Sequence, residues 1–159
     1  MFTEEEFEAA ARRHMDGIFR LALNYMGSFS EAEDVTQNVL IRLYRTKKSF
    51  ESPEHLRYWL VRVTINESKR MLLSPWRRAE SLELLEDSVS LPEEKNRELF
   101  RAVMSLPEKY RVPLYLYYYE GYSTKELAGL LKLPGSTVRT RLRRGREQLK
   151  ESLGGAENV

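Results

Sequence analysis

The fold is decided by residues 123–150, which read STKELAGLLKLPGSTVRTRLRRGREQLK. Ser123 and Glu126 have the spacing of a capping box, so a short helix is predicted to start here. Leu133-Pro134-Gly135 predicts a tight turn, and a longer helix is expected over about residues 136–152, before a pair of glycines. A short capped helix, a tight turn and a longer helix together predict a helix-turn-helix.

The longer helix has two faces of different chemistry. Its predicted core face follows steps of four, three and four and comprises Val138, Leu142, Gly145 and Leu149. Five arginines lie within residues 139–146 and only Glu147 offers a counter-charge nearby, which is unusual for an ordinary solvated face. Arginine can donate two hydrogen bonds to guanine, and helix N-terminal amides and threonine hydroxyls suit phosphate oxygens. We therefore predict contacts with duplex DNA from Ser136, Thr137, Arg139, Thr140, Arg141, Arg143, Arg144 and Arg146.

Two further helices are predicted between Pro92 and the helix-turn-helix. The apolar face of the first comprises Leu99, Val103 and Leu106. The second starts at Pro107 and runs to about Tyr119. Pro113 lies inside this second helix, where it lacks an amide hydrogen and should kink the helix or shift its start. Residues 92–159 are therefore predicted to form a four-helix domain.

The N-terminal part of the chain predicts three helices. The first spans about residues 3–25, the second starts at Ser30 through a capping box with Glu33, and the third starts at Pro53. The apolar stripe of the first helix comprises Phe7, Ala11, Met15, Ile18, Ala22 and Tyr25. The core faces of the other two comprise Ala32, Val35, Val39, Leu43, Leu56, Leu60 and Val63. We therefore predict a three-helix bundle over residues 1–74.

Charge is distributed unevenly along the chain. Residues 75–106 carry 5 Lys/Arg against 7 Asp/Glu, whereas residues 107–159 carry 10 against 6. Residues 42–70 carry 8 basic against 3 acidic residues. Two basic zones therefore flank an acidic middle, which offers a polyanion two separate places to bind. The acidic middle predicts a flexible linker over residues 75–91. Together with the helices predicted on either side of it, the expected fold is all-α, with two small helical domains.

The composition argues against several functions. The chain has no cysteine, which excludes disulfides, thiol catalysis and cysteine-based zinc sites. His14 and His55 are its only histidines, so neither a metal site nor a cofactor is expected. We see no nucleophile–base pair and no phosphate-binding loop, so we expect binding rather than catalysis. No apolar run reaches the ~18 residues that span a bilayer and the N-terminus is acidic, so we expect a cytoplasmic protein without membrane insertion.

Two blocks of residues carry a resemblance to a known family. The C-terminal block comprises 106–111 (LPEKYR), 119–123 (YEGYS), 126–128 (ELA), 136–142 (STVRTRL) and 144–146 (RGR). The N-terminal block comprises 32–37 (AEDVTQ), Phe50, 59–63 (WLVRV) and Asn66. They resemble regions 4 and 2 of the extracytoplasmic-function (ECF) sigma factors of the sigma-70 family. The blocks follow one another without the middle domain of longer sigma factors, as is typical of this group.

The resemblance implies a role for each part of the chain. Residues 1–74 would be region 2, residues 75–91 an acidic linker that runs toward the RNA exit path, and residues 92–159 region 4. Partners would be promoter DNA, an anti-sigma factor and core RNA polymerase, through its β′ clamp helices and β flap. The clamp helices would meet the helix over residues 30–45 at Asp34, Gln37, Asn38 and Ile41. The arginine face of the last helix would read the −35 promoter element in the major groove.

The −10 promoter element is expected to bind region 2 as a single strand. The residues that the resemblance assigns to it are Lys48, Phe50, Arg62, Asn66 and Lys69. Arg62, Asn66 and Lys69 lie at steps of four and three, so they share one helix face. Phe50 can stack on an unpaired base, although a place in the core suits it about equally well, and Trp59 suits the core better.

Some residues depart from the family pattern, and one alternative function covers part of the chain. Family members often have Ala at the position of Gly145 and an acidic residue at the position of Arg70. The alternative is a stand-alone helix-turn-helix regulator. It would explain residues 107–152 but would leave residues 30–70 without a role.

Overall fold

The computed structural model describes residues 2–75 and 94–157, and the side chains of residues 2–75 and 98–154. The chain divides into two compact units, Met1–Glu80 and Ser81–Val159. The described residues form helices and no strand, which confirms the all-α prediction. Nearly all of the predicted acidic linker lies outside the described residues. No helix within the described ranges is both long and apolar enough to cross a membrane.

The first unit is a bundle of three helices, as predicted. They are α1 (Glu4–Met26), α2 (Phe29–Arg45) and α3 (Pro53–Leu72), and each packs against the other two. Thr3 and Glu6 form a capping box at the start of α1, and Gly27 ends it in the left-handed conformation at φ 64°. Ser52 caps α3 and leaves Pro53 at its first position.

The start of α2 differs from the prediction. Its cap is Ser28, whose hydroxyl accepts a hydrogen bond from the Glu31 amide at 3.3 Å, so the helix begins before Ser30. The Ser-x-x-Glu pattern occurs at both places, and local spacing alone does not choose between them. Packing decides the choice, because Ser28 is fully buried and the Phe29 ring lies 4.9 Å from that of Phe19.

Most of the predicted core of the first unit is buried, but Phe7, Ala11 and Leu56 are only half-buried and Met15 is exposed. The fully buried residues of α2 are those predicted, namely Ala32, Val35, Val39 and Leu43. Met15 was assigned to the stripe of α1 but its side chain is 41% exposed, while Ala10 is buried. Two successive steps of four displace Met15 by about 80° from Phe7 around the helix, which moves it to the edge of the stripe.

A buried carboxylate joins α2 to α3. Glu67 on α3 is only 3% exposed, and its two oxygens contact Arg42 of α2 at 2.8 Å and Arg70 of α3 at 2.7 Å. A charge at that depth is stable only with such partners. The pairing also explains Arg70, a residue at which the chain departs from the family pattern.

The second unit contains four helices within the described residues. They are α4 (Glu94–Ser105), α5 (Glu108–Leu114), α6 (Thr124–Leu131) and α7 (Gly135–Glu157), and α7 packs against the other three. The buried apolar residues are Ala102, Leu106, Tyr110, Val112, Leu114, Leu116, Tyr122, Leu127, Leu130, Leu131, Val138 and Leu142. Leu99 was predicted to face this core but is 44% exposed.

Arg111 closes the junction between α4 and α5. Its guanidinium is buried and donates hydrogen bonds to the backbone oxygens of Met104 at 3.1 Å and Leu106 at 3.0 Å. Burial lowers the pKa of Arg111 below its ordinary value, and the nearby Glu108 carboxylate partly offsets that effect. Carbonyl groups at the end of α4 thus gain the partners that a helix C-terminus needs.

Pro113 changes the type of helix. Directly after it and Leu114, the chain continues as a π-helical turn over Tyr115–Tyr119, which ends with a hydrogen bond from the Glu120 amide to the Tyr115 oxygen. Proline lacks an amide hydrogen and its ring crowds the carbonyl four residues earlier, so the regular ladder is interrupted here. The sequence predicts a kink or a shifted helix start at Pro113, whereas in the structure α5 runs through Pro113 to Leu114 and the widened π-helical turn follows it.

The end of α7 differs from the prediction. The helix continues through Gly154 and Gly155 to Glu157. Glycine lowers helix propensity without ending a helix by itself, and the left-handed glycines that the structure does show among the described residues are Gly27 and Gly121.

Candidate nucleic-acid interface

The helix-turn-helix predicted from the sequence is present as α6 and α7. Ser123 and Glu126 form the predicted capping box at the start of α6. Lys132 ends α6 in the left-handed conformation at φ 55°, and α7 begins at Gly135. Val138, Leu142 and Gly145 are buried on one side of α7, as the sequence predicts, whereas Leu149, predicted for the same side, is half-buried.

The opposite side of α7 is basic and accessible. Arg139, Arg143, Arg144 and Arg146 are exposed, and Arg141 is half-buried. Ser136 is exposed and the two threonines, Thr137 and Thr140, are half-buried. The eight residues predicted to contact duplex DNA therefore all lie outside the buried side of α7, five of them exposed and three half-buried.

Two shallow grooves flank α7 and divide these residues between them. One groove, of about 330 Å³, is lined by Lys109, Tyr110, Ser136, Thr137, Thr140, Arg141 and Arg144. The other, of about 460 Å³, is lined by Tyr117, Thr124, Ser136, Arg139, Thr140, Leu142, Arg143 and Arg146. Ser136 and Thr140 border both grooves, so they mark the line where α7 projects farthest between them.

Sequence reasoning missed three groups beside α7. Lys109 of α5, Tyr117 of the π-helical turn and Thr124 at the start of α6 line the grooves together with the predicted residues. Each belongs to an element that precedes α7 in the chain, and only the folded unit brings it beside the arginines. For Thr124 the sequence did contain a signal, because this residue directly follows residues 119–123 (YEGYS), which resemble region 4 of the family.

Two of the arginines have partners within the second unit. Arg146 donates a hydrogen bond from Nη1 to the hydroxyl oxygen of Tyr118 at 3.0 Å. Arg143 lies 3.5 Å from the Glu147 carboxylate, and both side chains are more than half exposed. Exposed pairs of this kind contribute about 1 kcal/mol or less, so Arg143 remains available to another anion.

The first unit brings together most of the residues predicted for the −10 element. Arg62 donates a hydrogen bond to Asn66 Oδ1 at 3.0 Å, which confirms that they share a face of α3, and Lys69 is exposed one step further along it. Trp59 lies one step earlier on the same face, at the spacing that places helix residues side by side.

Phe50 lies in an aromatic cluster at the start of that face. Its ring centroid is 5.4 Å from Trp59, 5.2 Å from His55 and 5.8 Å from Phe2. Phe50 and Trp59 are both half-buried, so each has part of its ring packed and part accessible. The two expectations for Phe50, core packing and stacking on a base, are therefore compatible in this geometry.

An open groove of about 590 Å³ lies between α1 and the loop that carries Lys48 and Phe50. Arg13 and His14 of α1 line it, and sequence reasoning missed both. Burial lowers the pKa of His14 below its ordinary value of 6.5, and the charges of Arg13 and Arg57 lower it further. The groove therefore contains the cations Arg13 and Lys48 next to an aromatic ring.

The residues predicted to contact polymerase lie on the solvent face of α2. Asp34 and Gln37 are exposed, Asn38 is half-buried, and Ile41 is 45% exposed. Tyr44, one step beyond Ile41, is 61% exposed and its ring packs on Phe7 at 5.1 Å. The opposite face of α2 is fully buried, so this surface is held rigidly and combines polar groups with exposed apolar area.

Two family models match the chain. The model described as Sigma-70 region 2 matches residues 10–78, and the model described as Sigma-70, region 4 matches residues 96–149.

Curated relatives align with nearly the whole chain. The ECF RNA polymerase sigma factor SigW of Bacillus subtilis is 30% identical over 159 residues, which cover 88% of this chain and 84% of the relative. The ECF RNA polymerase sigma-E factor of Escherichia coli is 30% identical over 168 residues, covering 94% and 87%. SigE of Mycolicibacterium smegmatis is 31% identical, and the match covers 92% of this chain and 61% of the longer SigE.

Two solved structures share the fold. The sigma factor RpoE of Bartonella quintana, in complex with the anti-sigma factor NepR, matches with a TM-score of 0.72 at 20% identity, covering 94% of this chain and 98% of that one. CnrH, in complex with the cytosolic domain of CnrY, matches with a TM-score of 0.67 at 23% identity, covering 96% and 90%.

Proposed function

This chain belongs to the ECF group of the sigma-70 family, and we propose that it binds core RNA polymerase, recognises −35 and −10 promoter elements and initiates transcription of a specific regulon. Residues 1–74 act as region 2, residues 75–91 as an acidic linker and residues 92–159 as region 4. A stress-response regulon fits the relatives to which the chain is similar.

The observation that carries this proposal is the separation of core and basic faces on α7. Val138 and Leu142 anchor the helix, so the arginine side is presented on a rigid support. In a helix-turn-helix the second helix enters the major groove with its N-terminal residues against the bases. Arg139, Thr140 and Arg143 face outward there, and the flanking grooves give the two DNA backbones a place beside the helix.

In the first unit, the proposed −10 site combines stacking and hydrogen-bonding groups. The Phe50 ring offers a stacking surface for an unpaired base, and the paired Arg62 and Asn66 offer donors and an acceptor next to it. Lys48 and Lys69 supply charge for the phosphates of the single strand. Capture of unpaired bases stabilises the opened DNA, which is how a binding protein assists strand separation without catalysing a reaction.

The proposed polymerase-binding surface is the solvent face of α2. Asp34 and Gln37 suit polar contacts with the β′ clamp helices, and Ile41 supplies apolar area at the same surface. The second unit would meet the β flap. Bond formation in RNA belongs to the polymerase, so the chain itself acts by binding and in the cytoplasm, where the polymerase is.

An anti-sigma factor is a further proposed partner. The two solved structures with this fold are complexes with NepR and with the cytosolic domain of CnrY. A partner of this class would regulate the chain by covering the surfaces that polymerase and promoter DNA use.

The test is promoter binding by holoenzyme reconstituted from this chain and core polymerase. Arg139→Ala and Arg143→Ala should each weaken binding to a duplex with the −35 element by about 1–3 kcal/mol if the residue contacts a base. Arg12→Ala removes the same charge from α1 of the other unit and serves as the matched control. Unchanged binding in both α7 variants would contradict the assignment.

A further inference from the structure

Tyr118 and Arg146 form a hydrogen-bonded pair across 28 residues of sequence. Arg146 belongs to α7, whereas Tyr118 belongs to the π-helical turn that follows Pro113. Tyr118 is 60% exposed and Arg146 is exposed, so the pair lies at the surface and is not part of the core. Two groups from distant parts of the chain thus meet at the surface, and Arg146 also lines the groove beside α7.

The direction of the hydrogen bond leaves donors unused on both partners. Arg146 donates and the Tyr118 oxygen accepts, so the hydroxyl hydrogen of Tyr118 points away from the guanidinium. A guanidinium has five N–H donors, and the bond to Tyr118 uses one of them. The pair therefore presents a hydroxyl donor and several charged donors next to each other, an arrangement that suits a phosphate oxygen.

The surroundings favour an anion at this place. Arg139 and Arg143 line the same groove as Arg146, and Thr124, the first residue of α6, lines it from the other side. The amides at the N-terminus of α6 add partial positive charge there. The Tyr118 ring also packs edge-on against Tyr117, with the ring centroids 4.9 Å apart.

We propose that Tyr118 and Arg146 together bind one backbone phosphate of the −35 duplex, with Tyr118 also holding Arg146 in its binding conformation. This rests on the proposed role of α7 in −35 recognition. The π-helical turn after Pro113 contributes to function here, because it sets the direction in which Tyr118 leaves the backbone. A free arginine loses side-chain freedom when it binds, and an arginine already held by Tyr118 loses less of it.

The experiment measures the affinity of the holoenzyme for a short duplex selected from a randomised pool by the wild-type holoenzyme, over a range of KCl concentrations. Tyr118→Phe keeps the ring and its contact with Tyr117 but removes the hydroxyl. It should weaken binding roughly 3- to 10-fold. Arg146→Ala should lower the slope of log affinity against log salt by about 0.9, the loss of one phosphate contact, and Tyr118→Phe should shift the slope in the same direction.

The double variant and a matched control decide the outcome. In the Arg146→Ala background, Tyr118→Phe should weaken binding less than it does in the wild-type chain, because the arginine that Tyr118 holds is gone and only the hydroxyl's own contact with the phosphate is left to lose. Tyr119→Phe removes a hydroxyl from the same turn, where the ring stacks on Tyr115, and should bind as wild type does.

Independent, additive losses from Tyr118→Phe and Arg146→Ala would overturn the inference, as would normal binding by either single variant. Arg139→Ala separates this inference from the proposed function. If the Tyr118 and Arg146 variants give a contradicting result but Arg139→Ala weakens binding, α7 still reads the −35 element and only the Tyr118–Arg146 phosphate site is wrong.

Discussion

Gly145 determines how closely α7 approaches α5. A Cβ atom added there would lie 2.9 Å from Leu114 Cδ1 and 3.2 Å from Tyr110 Cβ. The family often has Ala at this position, and the contact with Leu114 and Tyr110 explains why this chain has glycine. From the sequence, Gly145 could be assigned to the core face but its contact partners could not be predicted, because they lie more than thirty residues earlier.

We expect Gly145→Val to destabilise the second unit by about 2 kcal/mol through overpacking. Hydrogen exchange of peptides from α5 and α7 measures the effect where it arises. Gly154→Val is the matched control, since it makes the same exchange in α7 at a position with no neighbouring atom within 4 Å. Equal loss of protection in the two variants would show that helix propensity, and not the contact with α5, sets the cost.

His14 gives the first unit a pH-dependent stability. Its pKa is lowered below 6.5 by burial and by Arg13 and Arg57, so the folded chain binds this proton less readily than the unfolded chain. The stabilisation is complete above about pH 6.5 and decreases as the pH falls through that value toward the folded pKa. We expect the free energy of unfolding, measured with urea, to decrease less in the His14→Gln variant than in the wild-type chain when the pH is lowered from 7.5 to 5.5. A pH dependence identical in the two proteins would contradict this.

At the scale of elements, the contact of α2 with α3 depends on a buried charge. Arg42 and Arg70 are more than half exposed, whereas the Glu67 carboxylate is almost fully buried. If Glu67 loses one of these arginines, water cannot replace the lost hydrogen bond well, and the folded state is destabilised. This contact could not be predicted from the sequence, because 25 residues separate Arg42 from Glu67 and nothing local distinguishes Arg42 from Arg45, the other cation of α2.

We expect Arg42→Gln to lower the free energy of unfolding of the first unit by roughly 1–2 kcal/mol, the lower part of the range for a buried polar group that loses a partner, because Arg70 still pairs with Glu67. Arg45→Gln makes the same substitution in the last turn of the same helix and should change it by only a few tenths of a kcal/mol. Urea unfolding compares the two. If both variants unfold at the same urea concentration, the contact between Arg42 and Glu67 does not contribute to the stability of the first unit.

Helix existence could be predicted from the sequence, whereas some helix boundaries could not. Apolar periodicity, capping patterns and proline positions together predicted the seven α-helices of the described residues, and the Ser123 capping box located the start of α6 correctly. At α2 two capping patterns compete and packing of Phe29 selects the earlier one. At Gly154-Gly155 the residue type permits a helix end, but the described chain continues as helix through both glycines to Glu157.

For the whole molecule, fold and family could be predicted from the sequence, but the roles of individual residues depended on the resemblance. The basic face of α7 was visible in the sequence because five arginines fall within eight positions. The exposed face of α2 would otherwise be an ordinary polar surface. Tyr118, Lys109 and Glu67 were missed, because their importance arises from partners distant in the sequence.

In the proposed function, the two units act together with RNA polymerase. A stand-alone helix-turn-helix regulator would need only the second unit, and the first unit, with its aromatic cluster around Phe50 and its exposed α2 face, would have no role. The two accounts therefore differ in whether core polymerase is required.

The most direct measurement is run-off transcription with purified core RNA polymerase, this chain and a library of promoter fragments. We expect transcripts that start at defined sites only when the chain is present, and their upstream sequences would give the −35 and −10 elements. Absence of any stimulation, together with specific duplex binding by the chain alone, would contradict the account and favour the stand-alone regulator.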